Sequence, residues 1–135
     1  MKLYDAIFCD DIRHEVNNKF SLMGIYNEEI VFHVPNKNEV GPQLFKLSLL
    51  LRFKINKEEQ YPERFEFAYT LNGVNIQPSL GMMHQNNGQE IIVLGLAHQT
   101  MPLQAGDLGF SIKLFKKNTV LLNVEESCGI KIIIK

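Results

Sequence analysis

The sequence predicts an all-β protein, an antiparallel β-sandwich of roughly 8–10 short strands folded as one domain over residues 1–135. Three observations predict it. Apolar residues recur at every second position in several runs, which is the period of a strand. Turn-forming pairs such as Asn72-Gly73 and Lys117-Asn118 separate those runs. No window of about ten residues or more carries a helical period.

In chain order, LYDAIFC (3–9) reads as the first strand. The next stretch, FCDDIRHEVNNKFSLMGIY (8–26), admits two geometries. One is a short helix capped by Asp10 or Asp11, with Ile12 and Val16 on one face. The other is a hairpin turning at Asn17-Asn18-Lys19, with Asn18 or Lys19 near the left-handed region. The hairpin is preferred because it sets Val16 opposite Phe20, His14 by Leu22 and Ile12 by Gly24. Glu15 then pairs with Ser21 and Arg13 with Met23. Gly24 inside a strand marks a bulge or a close backbone approach. EIVFHV (29–34) is a further short strand.

The run LFKLSLLLRFKI (44–55) carries the clearest alternation. Phe45, Leu47, Leu49, Leu51, Phe53 and Ile55 fall on one face, Lys46, Ser48, Arg52 and Lys54 on the other, and Leu50 breaks the rule. RFEFAYTL (64–71) repeats the pattern and runs into Asn72-Gly73, a pair suited to a type I′ hairpin turn. EIIVLGLAH (90–98) is apolar on both faces, which predicts a central strand covered on each side. LGFSIKLFK (108–116), TVLLNVEES (119–127) and GIKIIIK (129–135) complete the strand set. The segments 35–42, 56–63 and 82–89 are polar or punctuated by Pro and Gly, as surface loops are.

Composition narrows the function classes. Hydrophobic residues are 45% and charged residues 21%, ordinary for a globular chain. A net charge of −1 gives no global pull toward nucleic acid or an acidic membrane. The N-terminus lacks the apolar core of a signal peptide, and no run reaches the roughly 18 apolar residues of a spanning helix. The expected location is therefore cytoplasmic, with no membrane partner. Cys9 and Cys128, far apart and without a CxxC motif, are expected as buried thiols rather than a disulfide or a zinc site.

Ionisable residues crowd the segment Asp10–Glu15. On a strand, Asp10 and Asp11 point to opposite faces, which argues against both holding one ion. Asp11, Arg13 and Glu15 then share a side and form an alternating row. They are the candidate ligand- or partner-binding residues, and Arg13 is the one whose pairing decides between a structural clasp and an anion site. A Cys9 nucleophile is disfavoured because the neighbouring Asp10 raises a thiol pKa. The four histidines, His14, His33, His84 and His98, show no close-spaced ligand pattern, and no phosphate-binding or nucleophile-elbow motif is present. A basic patch of Lys46, Arg52, Lys54 and Lys113 forms if the last strands share a sheet with residues 44–55. It lacks aromatic partners for base stacking.

Two resemblances add to this reading. MPLQAGDLGFSIKLF (101–115) resembles the penultimate strand of immunoglobulin-like and fibronectin-type sandwiches, although Leu108 and Phe110 stand where those domains often carry a corner tyrosine. It implies an immunoglobulin-like sandwich rather than a barrel. Cys9, Asp10, Asp11, Ile12, Arg13 and Glu15, followed by Lys19, Ser21, Leu22, Met23, Gly24, Ile25 and Tyr26, resemble the N-terminal signature CDDIRxE…KxSLMGIY of a family of small bacterial all-β proteins. That resemblance implies a bacterial or phage origin and carries no activity.

The expected function is a non-enzymatic binding module without a cofactor, its partner another protein or a second copy of itself. Apolar residues on the outer sheet faces, Leu50 and Ile133, motivate that partner. The alternatives are a small metal-dependent hydrolase using Asp10–Glu15 and a nucleic-acid binder using the lysine stripe.

Overall fold

The computed structural model describes residues 1–34, 43–84 and 88–135, with the side chain of Asn18 left out. The predicted loop 35–42 and residues 85–87 lie outside the described residues. The strands are β1 (Lys2–Glu15), β2 (Lys19–Ile25), β3 (Glu29–Phe32), β4 (Leu44–Lys54), β5 (Arg64–Leu71), β6 (Val74–Met82), β7 (Ile91–Pro102), β8 (Gly106–Lys116) and β9 (Thr119–Ile134). A one-turn 3₁₀ segment, Val16–Asn18, joins β1 to β2. The chain is all-β, in two mostly antiparallel sheets: a four-stranded sheet ordered β2-β1-β4-β7 and a curled five-stranded sheet ordered β3-β9-β8-β5-β6. The β3–β9 pair is parallel. Among the described residues, no helix is long and apolar enough to cross a membrane.

Alternation explains the packing. Leu47, Leu49, Leu51 and Phe53 of β4 meet Phe65, Phe67, Tyr69 and Leu71 of β5, with Leu108, Phe110, Ile112 and Leu114 of β8, in one buried cluster. Phe8 of β1 stands 6.0 Å from Tyr69 and 6.3 Å from Phe110, ring centre to ring centre. The Tyr69 hydroxyl donates to the Leu47 carbonyl at 2.9 Å, so a polar atom inside the core is satisfied across the sheets.

Turn chemistry places the hairpins. Asn72 and Gly73 both take positive φ, 51° and 81°, closing Leu71 onto Val74 as the type I′ expectation requires. At the second turn Lys117 takes φ 53° and Lys116 faces Thr119. Residues 119–134 form one strand rather than two, with Cys128 and Gly129 looped out where the ladder shifts between Leu108–Ile130 and Gly109–Ser127.

Two expectations are corrected. The first hairpin has a three-residue loop, but it is Val16-Asn17-Asn18, and Asn17 takes the left-handed conformation with φ 64°. Each pair is displaced accordingly: Glu15 faces Lys19, His14 faces Phe20, Arg13 faces Ser21 and Ile12 faces Leu22. This register sets opposite charges across the last pair and joins two apolar residues at Ile12–Leu22, whereas the expected one set Ile12 against a glycine. β7 is also not a central strand: among the described residues it lies at the edge of its sheet and pairs only with β4. Its outward residues Val93, Gly95 and Ala97 are exposed. The β1–β2 hairpin folds instead over the outer face of β4, Ile12 sealing Leu50 and Cys9 in a second cluster with Phe20 and Leu22 packed on it. A Cβ on Gly95 of β7 would meet the Ile12 methyls at 3.8 Å, so the hairpin comes close to β7 at that point. Leu50 is therefore covered by its own chain and is no outward contact for a partner.

Candidate functional site

The predicted Asp10–Glu15 segment lies where β1 changes partner. Its ladder with β4 ends at Cys9–Ser48, and its ladder with β2 begins at Cys9–Ile25. Side chains beyond that point sit at the root of a hairpin lying on the sheet.

Asp10 and Asp11 diverge, as strand alternation requires. Asp10 accepts a hydrogen bond from the Tyr26 hydroxyl. Its carboxyl fills the space a Cβ would need on Gly24, which takes φ 68°. Gly24 is thus a close approach, by a side chain, at a conformation that also favours glycine. Burial first, and then the hydrogen bond to Asp10, push the Tyr26 phenol up to about 12.

Asp11 turns to the other side, where His98 Nε2 lies 2.8 Å from its Oδ1 and Arg13 Nε lies 3.5 Å from its Oδ2. Desolvation works to raise the Asp11 pKa. The hydrogen bond and charge of His98, and then Arg13, outweigh it and hold the carboxyl below its usual value. Arg13 keeps 62% of its side chain in water, so its pairing with Asp11 is a loose surface clasp. Glu15 stands apart from this cluster, opposite Lys19 at the hairpin tip. A cleft of about 230 Å³ separates that tip from the start of β7, lined by His14, Glu15, Lys19, Phe20, Gln89, Ile91 and Val93.

His98 reaches Asp11 because β7 bulges. Leu49 pairs with Leu96 and Leu47 with Gln99, so Ala97 and His98 together oppose Ser48. His98 takes φ 55°, uncommon for a residue with a Cβ. Ser48 fixes the geometry: its hydroxyl accepts from the His98 backbone N–H at 2.9 Å and donates to the Asp10 carbonyl at 3.1 Å. It is the buried polar residue of the described chain. Three strands are thereby tied at one point, β1 through Asp10 and Asp11, β4 through Ser48 and β7 through His98.

The chemistry available to this cluster is limited by those bonds. The Ser48 hydroxyl is buried and already both donates and accepts. Cys9, also buried, is raised in pKa by desolvation and by the Asp10 charge, so its thiolate is disfavoured. The His98–Asp11 pair therefore has no activated nucleophile beside it. Among the described residues, no three His, Cys, Asp or Glu side chains stand close enough to hold a metal ion.

The basic residues do not converge. Lys46, Arg52 and Lys54 lie on β4 of the four-stranded sheet, whereas Lys113 lies on β8 of the other. Arg52 is taken by Asp5, with Nε 2.9 and 3.0 Å from the two carboxylate oxygens, and its guanidinium sits over the Tyr4 ring.

Sequence reasoning named Asp11 and Arg13 but not their histidine. One signal was present. The inward residues of β7 are Ile92, Leu94 and Leu96 and then Met101, a slip from even to odd numbers that requires an extra residue between them. The groove at the outer end of the five-stranded sheet was not foreseen. It encloses about 510 Å³ among Thr70, Asn72, Asn75, Asp107, Glu125, Glu126 and Ser127, residues from four strands and one turn. A scan against protein-family models finds no match to this chain, and a search of curated proteins finds none either.

Proposed function

We propose that the chain is a non-enzymatic interaction module, an immunoglobulin-like β-sandwich that binds another protein through the open edge of its five-stranded sheet. The observation that carries this is β6. It lies at the edge with β5 as its ladder partner, and its sequence VNIQPSLGM contains no charged residue. Leu80 and Met82 on it are 74% and 71% exposed. Edge strands are ordinarily guarded by lysines, prolines or bulges. In β6, Pro78 and the positive φ of Gln77 interrupt the first half, and the run Ser79–Met82 keeps an unguarded apolar edge. Exposed apolar side chains beside unpaired backbone groups suit the addition of a partner strand.

Strand order supports the immunoglobulin-like part. The chain crosses between sheets from β4 to β5, from β6 to β7 and from β7 to β8, with hairpins at β5–β6 and β8–β9, a Greek-key style of connection. A cytoplasmic setting and a bacterial or phage origin belong to the same proposal. The hydrolase alternative draws no support from Asp10, Asp11 and Glu15, since Asp10 bonds Tyr26, Asp11 pairs with His98 and Glu15 lies apart at the hairpin tip. The nucleic-acid alternative loses Arg52 to Asp5 and Lys113 to the other sheet.

The test compares the wild-type chain with a Leu80→Lys/Met82→Lys variant by light scattering and by affinity capture from its native cells. Wild type is expected to self-associate or retain a partner, and the variant, with an unchanged circular dichroism spectrum, to lose that association. Equal retention by both, or a strict monomer that retains nothing, overturns the proposal.

A further inference from the structure

We infer that the hairpin from Asp10 to Gly24 opens from the four-stranded sheet as a unit, ahead of global unfolding, and that this opening uncovers Cys9 and Leu50. Among the described residues, β2 pairs only with β1, and the hairpin half of β1 pairs only with β2. A two-stranded hairpin is marginal in water, so its order comes from what it rests on. What it rests on is small. The second cluster has three buried members, Cys9, Ile12 and Leu50, with Phe20 and Leu22 only partly covered. The tip does not close on the sheet either, because the 230 Å³ cleft separates it from Ile91 and Val93.

The remaining attachments are polar and sit at the root. Among the described residues they are the Tyr26–Asp10 hydrogen bond, the His98–Asp11 pair and the bond from the Ser48 hydroxyl to the Asp10 carbonyl. The first two lie near the surface, where water replaces them readily, and the third, from the buried Ser48, holds only the backbone of the hairpin's first residue. The closest approach at the root, Asp10 against Gly24, is made within the hairpin and travels with it. Strand β1 before Cys9 stays paired with β4 throughout, so opening needs no disruption of the main sheet. Local opening of thinly packed elements below the global unfolding free energy is the general behaviour of such units.

Cys9 is fully buried beneath Ile12, so its reactivity reads the opening directly. The test measures the rate at which a small aromatic disulfide reagent labels Cys9, in a Cys128→Ser background, across low urea concentrations. Hydrogen exchange of the β8 amides reports global unfolding in the same samples. The expected result is Cys9 labelling with a urea dependence far shallower than that of β8 exchange. Ile12→Ala is expected to speed labelling at least about 10-fold. Tyr26→Phe, a milder change that keeps the fold if Ile12→Ala does not, is expected to speed it about 5-fold. Labelling of Cys9 with the same urea dependence as β8 exchange, in wild type and in Tyr26→Phe, overturns the inference.

Discussion

The molecule holds two apolar clusters on opposite faces of one sheet, and they differ in depth. Between the sheets, twenty buried side chains of the described residues form the main core. On the outer face, under the hairpin, Cys9, Ile12 and Leu50 are the buried members among the described residues. Both arise from the same strands, since Leu49 and Leu51 point inward while Leu50 points out. The main core is built from residues far apart in sequence on many strands, so losing one leaves the rest in place. The outer cluster depends on one hairpin, and its apolar contacts are supplemented by polar ties through Tyr26, Ser48 and His98. Depth of packing, rather than hydrophobicity along the chain, separates the two regions.

Substitutions in each region should differ in size accordingly. Phe110→Ala, at a fully buried ring between the sheets, is expected to cost about 3–5 kcal/mol in chemical denaturation. Leu50→Ala removes a side chain that the hairpin covers and that the hairpin can settle onto again. Its cost should stay near or below about 2 kcal/mol, the low end for such changes. An equal loss from both would erase the contrast.

Smaller effects lie at the root of the hairpin. Tyr26→Phe removes one near-surface hydrogen bond and is expected to cost about 1 kcal/mol or less. Because the Tyr26 phenol is pushed up to about 12, its contribution is complete below the ordinary tyrosine value of about 10. It is lost as pH rises through 12, and thermal melts should show Tyr26→Phe less sensitive to pH across that window. The smallest effect belongs to Asp11. Its carboxyl is held below its usual value, so its contribution is present above about pH 4 and is lost as pH falls further. Melts of Asp11→Asn should show a shallower acid-side slope than wild type, and an unchanged slope would mean that the His98 contact does nothing for stability.

Much of this was legible in the chain. Period-2 runs located the strands and assigned the inward faces of β4, β5 and β8, and Asn72-Gly73 located a hairpin, because pleat and turn are local consequences of residue type. The first hairpin came out one residue displaced, since loops 16–18 and 17–19 satisfy local rules equally. The choice fell to Ile12, which gains Leu22 opposite and Leu50 beneath only in the observed register. The apolar outer face of β7 was visible but misassigned, because apolar side chains suit a covered central strand, whereas Val93, Gly95 and Ala97 stay exposed on an edge strand.

The sequence alone thus determined an all-β chain, the direction in which most side chains point, and the divergence of Asp10 from Asp11. Those follow from alternation along a single strand. Only the tertiary structure decided that Asp11 meets His98, that Ser48 joins three strands and that Lys113 stands apart from Lys46. Each of those depends on which strands become neighbours and on a one-residue bulge, and non-local pairing is fixed by the packing of the whole core rather than by any short stretch within it.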